Sequence, residues 1–492
     1  MAPSIAALRA ALEAEQQQHV LPLVSSPGAP AVEQLKGVNL RGLRARLAAS
    51  LGASSPSGAG RAIAPFPHVR ELSSMPPEER ASLFDEGCRL IARGALAVLL
   101  LAGGQGTRLG SSAPKGCYNI GMPSGKSLFQ YHAERLLRVR QLAASVARVD
   151  VSAVRLPLLV MTSDATHRET VGFFEQHGHF GLGPSQVHFF EQGMLPCLSE
   201  AGEILVEGDG RVAMAPDGNG GVYASLLASG LLDALERGGT SCVFQLCVDN
   251  ALCKVADPTF VGFCAREGAD CASKTVPKAH AHERVGVLGT QDGRACVLEY
   301  SEIDARTAEA LAPDGSGALL FGAAHICVNW FSLEFVRRVA TEPACVLPVH
   351  VARKQIRALA PPSERGSAAN GVDADGANDA PTDVRAIKLE MFIFDAFAHA
   401  RKMVALQVPR DDEFAPVKNA PGSPSDSPES AAALLSAWAE RKVAAAGGSV
   451  ARGGAADGVR ALIEVSPLVS LDGEDLERHA AGKTFVPPCE IR

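Results

Sequence analysis

A glycine-rich loop follows directly after a strongly apolar run of the chain. The run Ala95–Ala102 has the length of a buried strand, and Gly103-Gly104-Gln105-Gly106 comes next. Glycine lets bare backbone N–H groups approach a ligand closely and permits the tight turn that this approach needs. The loop therefore predicts a site for a nucleotide phosphate or base, with a plain strand-to-helix connection as the alternative.

Two better-known glycine motifs do not fit this chain. A dinucleotide-binding loop has the spacing G-x-G-x-x-G, but Leu109 stands where the third glycine counted from Gly104 belongs. A P-loop ends in Gly-Lys-Ser, as the residues from Gly125 to Ser127 do, but Ile120 occupies the position of its first glycine. These spacings argue against a nicotinamide-dependent oxidoreductase and against a P-loop nucleotide hydrolase.

Two cations follow the glycine loop closely. Arg108 and Lys115 lie four and eleven residues after Gly104. Arginine offers a fork of donors and lysine a point charge, and together they suit a bound triphosphate and a departing pyrophosphate. The alternative is that both are solvated surface charges. The spacing thus favours phosphate chemistry at the end of the apolar strand.

The bulk composition restricts the partners. The chain has 492 residues and a formal net charge of −7, which argues against binding to nucleic acid or to an anionic membrane. The twelve cysteines contain no C-x-x-C spacing and are predicted to be reduced thiols. The N-terminus lacks the pattern of a secretory signal, and no run of eighteen apolar residues occurs. We therefore expect a cytoplasmic protein, with the oligomeric state left open.

Strand-like and helix-like segments alternate after residue 95. The strand-like runs are Leu158–Thr162, Val187–Phe190, Ser241–Val248 and Ala295–Tyr300. Helix-compatible stretches such as Ser127–Arg140 and Gly221–Arg237 lie between the earlier ones. This alternation predicts an α/β fold with a doubly wound sheet, whose ligand lies at the carboxyl ends of the strands.

Changes in composition suggest three parts. Residues 1–94 are predicted to form an N-terminal subdomain and residues 95–420 a central catalytic domain. Residues 361–383 are small and polar throughout, and we expect a mobile insertion there. Residues 421–492 are predicted to form a C-terminal subdomain that begins with a flexible linker.

An ordered set of motifs resembles a known enzyme family. The motifs are LAGGQGTRLG followed by APKG, Glu191–Pro196, Met214–Gly221, Cys247–Asn250 and Val297–Glu302. In this order they are similar to the eukaryotic UDP-N-acetylhexosamine pyrophosphorylases, and the similarity runs from about residue 95 to 420. The resemblance implies a nucleotidyltransferase-type, Rossmann-like mixed sheet with N- and C-terminal subdomains.

The resemblance also implies a reaction. UTP and N-acetylglucosamine 1-phosphate would give UDP-N-acetylglucosamine and pyrophosphate by in-line attack of the sugar phosphate on the α-phosphorus. That nucleophile is already an anion near neutral pH, so no general base is required. Catalysis would depend on positioning and on neutralisation of charge.

Four charged residues acquire roles through the resemblance. Asp249 would hold Mg²⁺, with Mn²⁺ as the substitute, although an aspartate at a strand end is otherwise often a turn or helix cap. Arg108 and Lys115 would stabilise the phosphates. Lys418 matches a family lysine near the sugar phosphate, and a solvated loop charge is its alternative.

The remaining implied positions bind substrate. The amide of Gln192 would pair with the uracil edge, and otherwise it is an ordinary loop residue. The segment from Lys388 to Asp395 resembles the family segment that closes over the sugar, and core packing is the alternative for its two phenylalanines. The implied substrate-binding residues are Gly103, Gly104, Gln192, Gly218, Asn219, Gly286, Glu299, His325, Lys388, Phe392 and Phe394.

One position departs from the family pattern. The family commonly has Ala-Gly-Asn near the acetamido group, and this chain has Ala323-Ala324-His325. Histidine is bulkier and titratable, which leaves the range of sugars open. The alternative functions are a UDP-glucose or broad-range UDP-sugar pyrophosphorylase and, as a different class, a catalytically silent nucleotide-sugar binder. A core histidine with satisfied hydrogen bonds is the alternative for His325 itself.

Overall fold

The computed structural model describes residues 4–53, 62–365, 380–451 and 461–492. Within these residues the chain alternates between helices and strands. The α-helices are α1 (Ile5–Ala14), α2 (Pro30–Leu35), α3 (Leu43–Ala53), α4 (Pro77–Ala92), α5 (Leu128–Ala147), α6 (His167–Gln176), α7 (Val222–Ala228), α8 (Leu231–Arg237), α9 (Pro258–Glu267), α10 (Ala305–Ala308), α11 (Leu333–Thr341), α12 (Pro362–Arg365), α13 (Arg410–Glu413), α14 (Pro428–Ala445) and α15 (Glu477–Ala480).

Strands occur along the whole described chain. They are β1 (Ile63–Pro65), β2 (Val69–Glu71), β3 (Leu96–Leu101), β4 (Leu158–Thr162), β5 (Val187–Glu191), β6 (Met194–Pro196), β7 (Met214–Pro216), β8 (Cys242–Cys247), β9 (Cys271–Pro277), β10 (Val287–Gln291), β11 (Arg294–Leu298), β12 (Ala323–Ser332), β13 (His350–Ala358), β14 (Thr382–Glu390), β15 (Met403–Gln407), β16 (Ser449–Val450), β17 (Ile463–Val465), β18 (Thr484–Phe485) and β19 (Cys489–Ile491).

Contacts divide the chain into two compact units. The first unit comprises residues up to 61 together with Gln192–Ser225 and Pro343–Ala396. The second comprises Ala62–Glu191, Leu226–Glu342 and Phe397–Arg492. Each unit is therefore assembled from segments that are far apart in sequence.

The second unit is built on one large mixed sheet. Its strand order is β2-β15-β9-β12-β8-β3-β4-β5, and β1, β10 and β11 extend it beside β12. The strands β8, β3, β4 and β5 are parallel to one another, whereas β12 runs antiparallel to both β8 and β9. Every residue of β3 is buried, as expected for a central parallel strand covered on both faces. The predicted α/β fold with a doubly wound mixed sheet is confirmed.

Helices α4 and α9 pack against each other at unusually close range. A Cβ atom at Gly87 would lie 1.9 Å from the carbonyl oxygen of Pro258, and one at Gly262 would lie 1.9 Å from the carbonyl oxygen of Leu83. Glycine at both positions lets the two backbones touch directly. The core beneath them contains alternate residues of β3, namely Leu96, Val98 and Leu100.

The first unit joins the N-terminal helices to two antiparallel strand pairs, β6–β7 and β13–β14. The Gln17 side chain is fully buried. It donates to the carbonyl of Gly202 at 2.9 Å and accepts from the N–H of Ile204 at 2.8 Å. A buried amide whose groups are paired in this way stabilises the junction between the N-terminal helices and the 197–206 segment.

The contact units do not coincide with the three predicted subdomains, whose bounds stay a prediction. Residues 62–94, predicted to be N-terminal, share the second unit with the large sheet. Residues 192–225 and 343–396, predicted to be central, join the first unit. Of the predicted insertion at 361–383, residues 366–379 lie outside the described part of the chain.

The flexible linker predicted from residue 421 is wrong for its larger part. Helix α14 occupies residues 428–445, begins with a capping box at Ser427 and Ser430, and buries Leu435 and Trp438 in the core of the second unit. The alanines that made this segment look structureless are strong helix formers, and their small side chains permit close packing. The alanine-rich composition of this segment is therefore that of a buried helix and not of a linker.

Two further findings concern the whole described chain. All twelve cysteines lie in described residues and are free thiols. Among those residues, no helix has both the length and the apolar character needed to cross a membrane.

Candidate functional site

Three parallel strands of the second unit end at one edge of the sheet. In the register of the sheet, Leu101 of β3 pairs with Met161 of β4 and with Cys247 of β8. The residues that follow these strands are therefore neighbours. They include the glycine loop after β3, Ser163 after β4 and Asp249 after β8.

The glycine loop folds back on itself at this edge. The Ser163 hydroxyl donates to the carbonyl of Gly103 at 2.8 Å, and the N–H of Lys115 donates to the carbonyl of Gly104 at 3.0 Å. A further backbone bond of 2.9 Å joins the N–H of Gly106 to the carbonyl of Ala113. These bonds close the loop, so that its two ends lie side by side.

This closure brings two of the predicted residues together. The Nζ atom of Lys115 lies 3.5 Å from Oδ2 of Asp249, and both side chains are about one-fifth exposed, at 20% and 19%. The carbonyl of Asp249 also accepts from the N–H of Val417 at 2.9 Å. Residues 115, 249 and 417, far apart in sequence, therefore converge at the strand ends.

Lys418 lies in the same group of charges. Burial disfavours its charged form, but the carboxylates of Asp249 and Asp426 outweigh burial and raise the pKa of Lys418 above its ordinary value. Its Nζ atom lies 5.9 Å from the centre of the Phe414 ring. Arg108, by contrast, is exposed on the short turn Thr107–Leu109 of the glycine loop.

The surroundings of Asp249 fit a magnesium ion. Among the described residues, no group of three or more histidine, cysteine, aspartate or glutamate side chains could hold a metal. Magnesium usually keeps several waters and is bound by one or two carboxylates together with substrate phosphates. A single, partly exposed carboxylate beside two lysines is an appropriate protein ligand for an ion that arrives with a triphosphate.

Three predicted sugar-binding residues also meet within the second unit. The N–H of His325 donates to the carbonyl of Gly286 at 2.9 Å. A Cβ atom at Gly286 would lie 3.1 Å from Oε1 of Glu299 and 2.6 Å from Val297. Burial lowers the pKa of His325 to about 4, so its imidazole is neutral near pH 7.

A second group of predicted residues assembles within the first unit. The carbonyl of Met391 accepts from the N–H of Gly220 at 2.9 Å, and Oδ1 of Asn219 accepts from the N–H of Ile393 at 2.9 Å. These bonds join the turn that begins at Gly218 to the segment carrying Phe392 and Phe394.

The two phenylalanines lie beyond the end of β14, where a 3₁₀ helix covers Ile393–His399. The Phe392 ring stacks on His350 with 4.2 Å between ring centres, and it lies 5.1 Å from the Phe394 ring. Lys388 is half-buried within β14, and Gln192 is half-buried just before β6. The roles assigned to these residues remain predictions.

Asp217, for which the sequence pattern implies no role, lies between β7 and this turn. Its N–H donates to the carbonyl of Gly193 at 3.0 Å, and its carbonyl accepts from the N–H of Met391 at 2.7 Å. Its side chain is 7% exposed, and Oδ1 has no hydrogen-bond partner among the described residues. A Cβ atom at Gly193 or Gly221 would lie 2.2 to 2.3 Å from the carboxyl group. The only sequence signal was its position between Pro216 and Gly218 in the glycine-rich motif Met214–Gly221.

Asp217 should make stability depend on pH. Burial raises the pKa of Asp217 to about 7. Because the folded protein holds this proton between about pH 4 and pH 7 while the unfolded chain has released it, the free energy of unfolding should fall with rising pH across that range. Asp217→Asn should flatten this fall by roughly a few kcal/mol, measured by urea unfolding at several pH values. Equal slopes in wild type and variant would contradict the prediction, and the exposed Asp85→Asn is the control.

Gly218 should tolerate no side chain. Its φ of +86° and ψ of 174° lie in a region that is essentially restricted to glycine, and a Cβ atom would lie 2.4 Å from the carbonyl oxygen of Met391. Gly218→Ala should therefore lower both the melting temperature and the kcat/KM. Gly37→Ala is the matched control, since Gly37 has a φ of +87° but open space around it, and it should cost only about 1–2 kcal/mol. If Gly37→Ala lowered the melting temperature and the kcat/KM as much as Gly218→Ala, backbone strain alone would explain the effect, and the close contact with Met391 would not be needed.

The P-loop-like Gly125-Lys126-Ser127 has a structural role. Lys126 is buried, and its Nζ atom lies 2.9 Å from Glu134 and 2.6 Å from Glu490. This lysine is therefore occupied by two carboxylates of the protein.

Comparison with known proteins decides the family. The sequence profile of the UTP–glucose-1-phosphate uridylyltransferase family matches residues 72–423, which include the glycine loop, Lys115, Asp249 and Lys418. The chain belongs to this family. It is therefore a nucleotidyltransferase, and the oxidoreductase excluded by glycine spacing is excluded by homology as well.

Relatives of this uridylyltransferase carry more specific names. It is 41% identical over 431 residues to the probable UDP-N-acetylglucosamine pyrophosphorylase of Dictyostelium discoideum, covering 87% of this chain and 85% of the relative. It is 39% identical to the human UDP-N-acetylhexosamine pyrophosphorylase-like protein 1, covering 98% and 96%. The resemblance inferred from the motifs is confirmed.

A solved structure agrees with this placement. The uridylyltransferase superimposes on the uridine diphosphate N-acetylglucosamine pyrophosphorylase of Trypanosoma brucei, solved with an inhibitor, with a TM-score of 0.80 and 33% identity. The match covers 96% of this chain and 94% of the other. The two proteins therefore share their fold over almost their full lengths.

Proposed function

We propose that this uridylyltransferase forms UDP-N-acetylglucosamine and pyrophosphate from UTP and N-acetylglucosamine 1-phosphate. One observation carries the proposal: Lys115, Asp249 and Lys418 converge where β3 and β8 end. The names of these two relatives support the choice of an N-acetylhexosamine as the sugar.

The arrangement suits a transfer in which charge has to be neutralised. The attacking group is a phosphate oxygen of the sugar phosphate, and the bond that breaks joins the α-phosphorus of UTP to its pyrophosphate leaving group. Because the attacking oxygen is already an anion, the enzyme need not remove a proton. What remains for the protein is to align the two substrates and to stabilise negative charge.

Each charged residue then has a proposed task. Lys418 keeps its positive charge because its pKa is raised, and it holds the sugar phosphate. Lys115 stabilises the charge that develops on the transferred group and the leaving pyrophosphate, and Arg108, exposed on the loop, binds the outer phosphates. Asp249 would hold Mg²⁺, or Mn²⁺ in its place, and such an ion, when bound, would supply further positive charge to the phosphates.

Substrate recognition is proposed for the residues of both groups described above. In the first unit, the roles implied by the resemblance are uracil pairing by Gln192, nucleotide contact by the Gly218 backbone, and sugar contacts by Asn219, Lys388, Phe392 and Phe394. In the second unit, taken by itself, they are nucleotide contact by the backbone at Gly103 and Gly104 and sugar contacts by Gly286, Glu299 and His325. The predicted cytoplasmic location, and the predicted lack of nucleic-acid and membrane partners, remain predictions.

A release assay tests the function. The protein is incubated with UTP and Mg²⁺, and N-acetylglucosamine, N-acetylgalactosamine and glucose 1-phosphates are offered separately while pyrophosphate is followed. Release with N-acetylglucosamine 1-phosphate is expected. Release with glucose 1-phosphate alone would refute the proposed sugar, and no release with any of the three would favour a silent binder.

A further inference from the structure

The segment that leads to Lys418 is buried and anchored within the second unit. Residues 413–417 are all buried, and Lys418, the next residue, is the first one exposed. The carboxylate of Glu413 lies 2.5 Å from Nζ of Lys274 and 3.5 Å from Nζ of Lys254, and both lysines are buried. These ion pairs fix the start of the segment, so the placement of Lys418 depends on how the rest of the segment is held.

Two backbone hydrogen bonds join this segment to the residues that follow β8. The N–H of Val417 donates to the carbonyl of Asp249 at 2.9 Å, and the N–H of Ala251 donates to the carbonyl of Ala415 at 3.0 Å. These bonds lie on either side of Pro416, which has no N–H to donate. The backbone pairing between the two stretches is therefore short.

The side chain of Asn250 adds two further bonds to the same segment. Asn250 lies opposite Pro416 in the pairing and is 2% exposed. Its Oδ1 accepts from the N–H of Ala415 at 2.9 Å, and its Nδ2 donates to the carbonyl of Glu413 at 2.8 Å. Oδ1 also accepts from the N–H of Leu252 at 3.3 Å. Because an N–H can only donate and a carbonyl can only accept, one orientation of the amide satisfies all three groups.

Few side chains could replace this amide. Aspartate has the same shape, but it would place an acceptor against the carbonyl of Glu413. Leucine has a similar volume, but it would leave that carbonyl and the N–H of Ala415 without these bonds, which is costly in a buried place. The motif Cys247–Asn250 contains this residue, and the sequence pattern implies no role for it. The geometry requires both a donor and an acceptor at position 250.

Lys418 has one further attachment. Its own N–H donates to the carbonyl of Asp426 at 2.7 Å, and the N–H of Asn419 donates to the same carbonyl at 2.9 Å. Asp426 precedes α14, so these bonds tie Lys418 to the loop before that helix and not to the strand end that carries Asp249. The placement of Lys418 relative to Asp249 is therefore set by residues 413–417.

We propose that Asn250 is a positioning residue that holds Lys418 near Asp249 through the segment 413–417. This inference rests on the proposed function, in which Lys418 holds the sugar phosphate. A misplacement of about 1 Å in a substrate-positioning group can lower the rate about a hundredfold. Because the backbone bonds and the bonds to Asp426 remain when the amide is lost, we expect a smaller effect for Asn250→Leu, on the order of tenfold.

Hydrogen exchange tests the anchoring without any substrate. In the free enzyme, followed by mass spectrometry, the peptide containing Ala415 and Val417 should exchange faster in Asn250→Leu than in wild type, because Ala415 loses its acceptor. Gln17→Leu is the matched control, since the buried Gln17 amide also donates to one backbone carbonyl and accepts from one backbone N–H. It should leave the exchange of that peptide unchanged. Asn250→Ser, whose hydroxyl is too short to span both groups, serves if the leucine variant does not fold.

Kinetics should show a change that concerns one substrate. Asn250→Leu is expected to lower kcat/KM for N-acetylglucosamine 1-phosphate about tenfold, with the KM for UTP within about threefold of wild type. Gln17→Leu should lower the melting temperature and keep kcat/KM within about threefold of wild type. In a Lys418→Ala background, Asn250→Leu should lower kcat/KM by less than about twofold more, because the charge that it positions is absent.

The dependence on magnesium separates an effect through Lys418 from one through Asp249, which precedes Asn250 in the chain. If Lys418 alone is displaced, the Mg²⁺ concentration that gives half-maximal rate should stay within about twofold of wild type. A raised Mg²⁺ requirement, together with an undiminished loss in the Lys418→Ala background, would overturn the inference, because the effect would then lie at Asp249.

Two other results would overturn the inference while wild-type pyrophosphate release leaves the proposed function intact. One is an unchanged kcat/KM for the sugar phosphate in a folded Asn250→Leu variant, and the other is unchanged hydrogen exchange at Ala415. Absence of release by the wild-type protein with every sugar phosphate would instead overturn the proposed function, and hydrogen exchange would still report whether the amide anchors the segment.

Discussion

Replacing Asp249 by alanine is expected to lower kcat by about a thousandfold or more while the fold survives. The carboxylate lies beside Lys115, where it is the proposed protein ligand of Mg²⁺. Without it, the ion would depend on the substrate phosphates alone, and Lys115 and Lys418 would lose the negative charge they share. Initial rates measured over a range of Mg²⁺ concentrations should show that the variant also needs much more of the ion.

Asp270→Ala is the matched control for this prediction. Asp270 is 17% exposed, close to the 19% of Asp249, and it lies 2.8 Å from Arg338 in an ion pair. It precedes β9, which puts it at the opposite edge of the same sheet. We expect a lower melting temperature with kcat within about threefold of wild type. Wild-type turnover by the Asp249 variant at low Mg²⁺ would remove Asp249 from the mechanism.

The second large effect is expected for Lys115→Ala, with kcat lowered by about a hundredfold to a thousandfold. Lys115 is held at the end of the glycine loop by its backbone bond to Gly104, so its charge is positioned before substrate arrives. Such a preorganised charge stabilises the transition state more than the ground state, and kcat should fall more than KM changes. The reverse reaction, followed as UTP formation from pyrophosphate, should lose the same factor.

Lys442→Ala provides the comparison for Lys115. Lys442 is 18% exposed, near the 20% of Lys115, and it lies 2.7 Å from Asp472. The Lys442→Ala variant should have a lower melting temperature than wild type, and its kcat should be nearly unchanged. If both lysine variants kept wild-type kcat, charge stabilisation by Lys115 would have no support.

Buried parallel strands were the most predictable elements of the fold. The predicted Leu158–Thr162 coincides with β4, the prediction for β5 differs from the structure by one residue at one end, and that for β8 differs by one residue at each end. A strand covered on both faces needs an unbroken apolar run, and such a run is visible without knowledge of its neighbours. The helix predicted over Gly221–Arg237 is instead two helices, divided at Gly230, whose φ is +73°.

Elements whose apolar character is weak were predicted less well. Helix α14 lies where the composition predicts a linker, because alanine and serine carry little hydrophobic signal. Its burial follows from packing against the core of the second unit. The pairing of β12 with β9 shifts in register between His325 and Val328, where Cys327 has a φ of +54°, and this irregularity was not predicted from the sequence.

The sequence alone determined the family, the α/β fold class and the identity of most candidate site residues, because glycines, charges and buried strands must follow in a set order along the chain. Tertiary structure alone decided which charges meet. Lys115 and Asp249 are separated by more than a hundred residues, and they become neighbours only because β3 and β8 are adjacent and parallel.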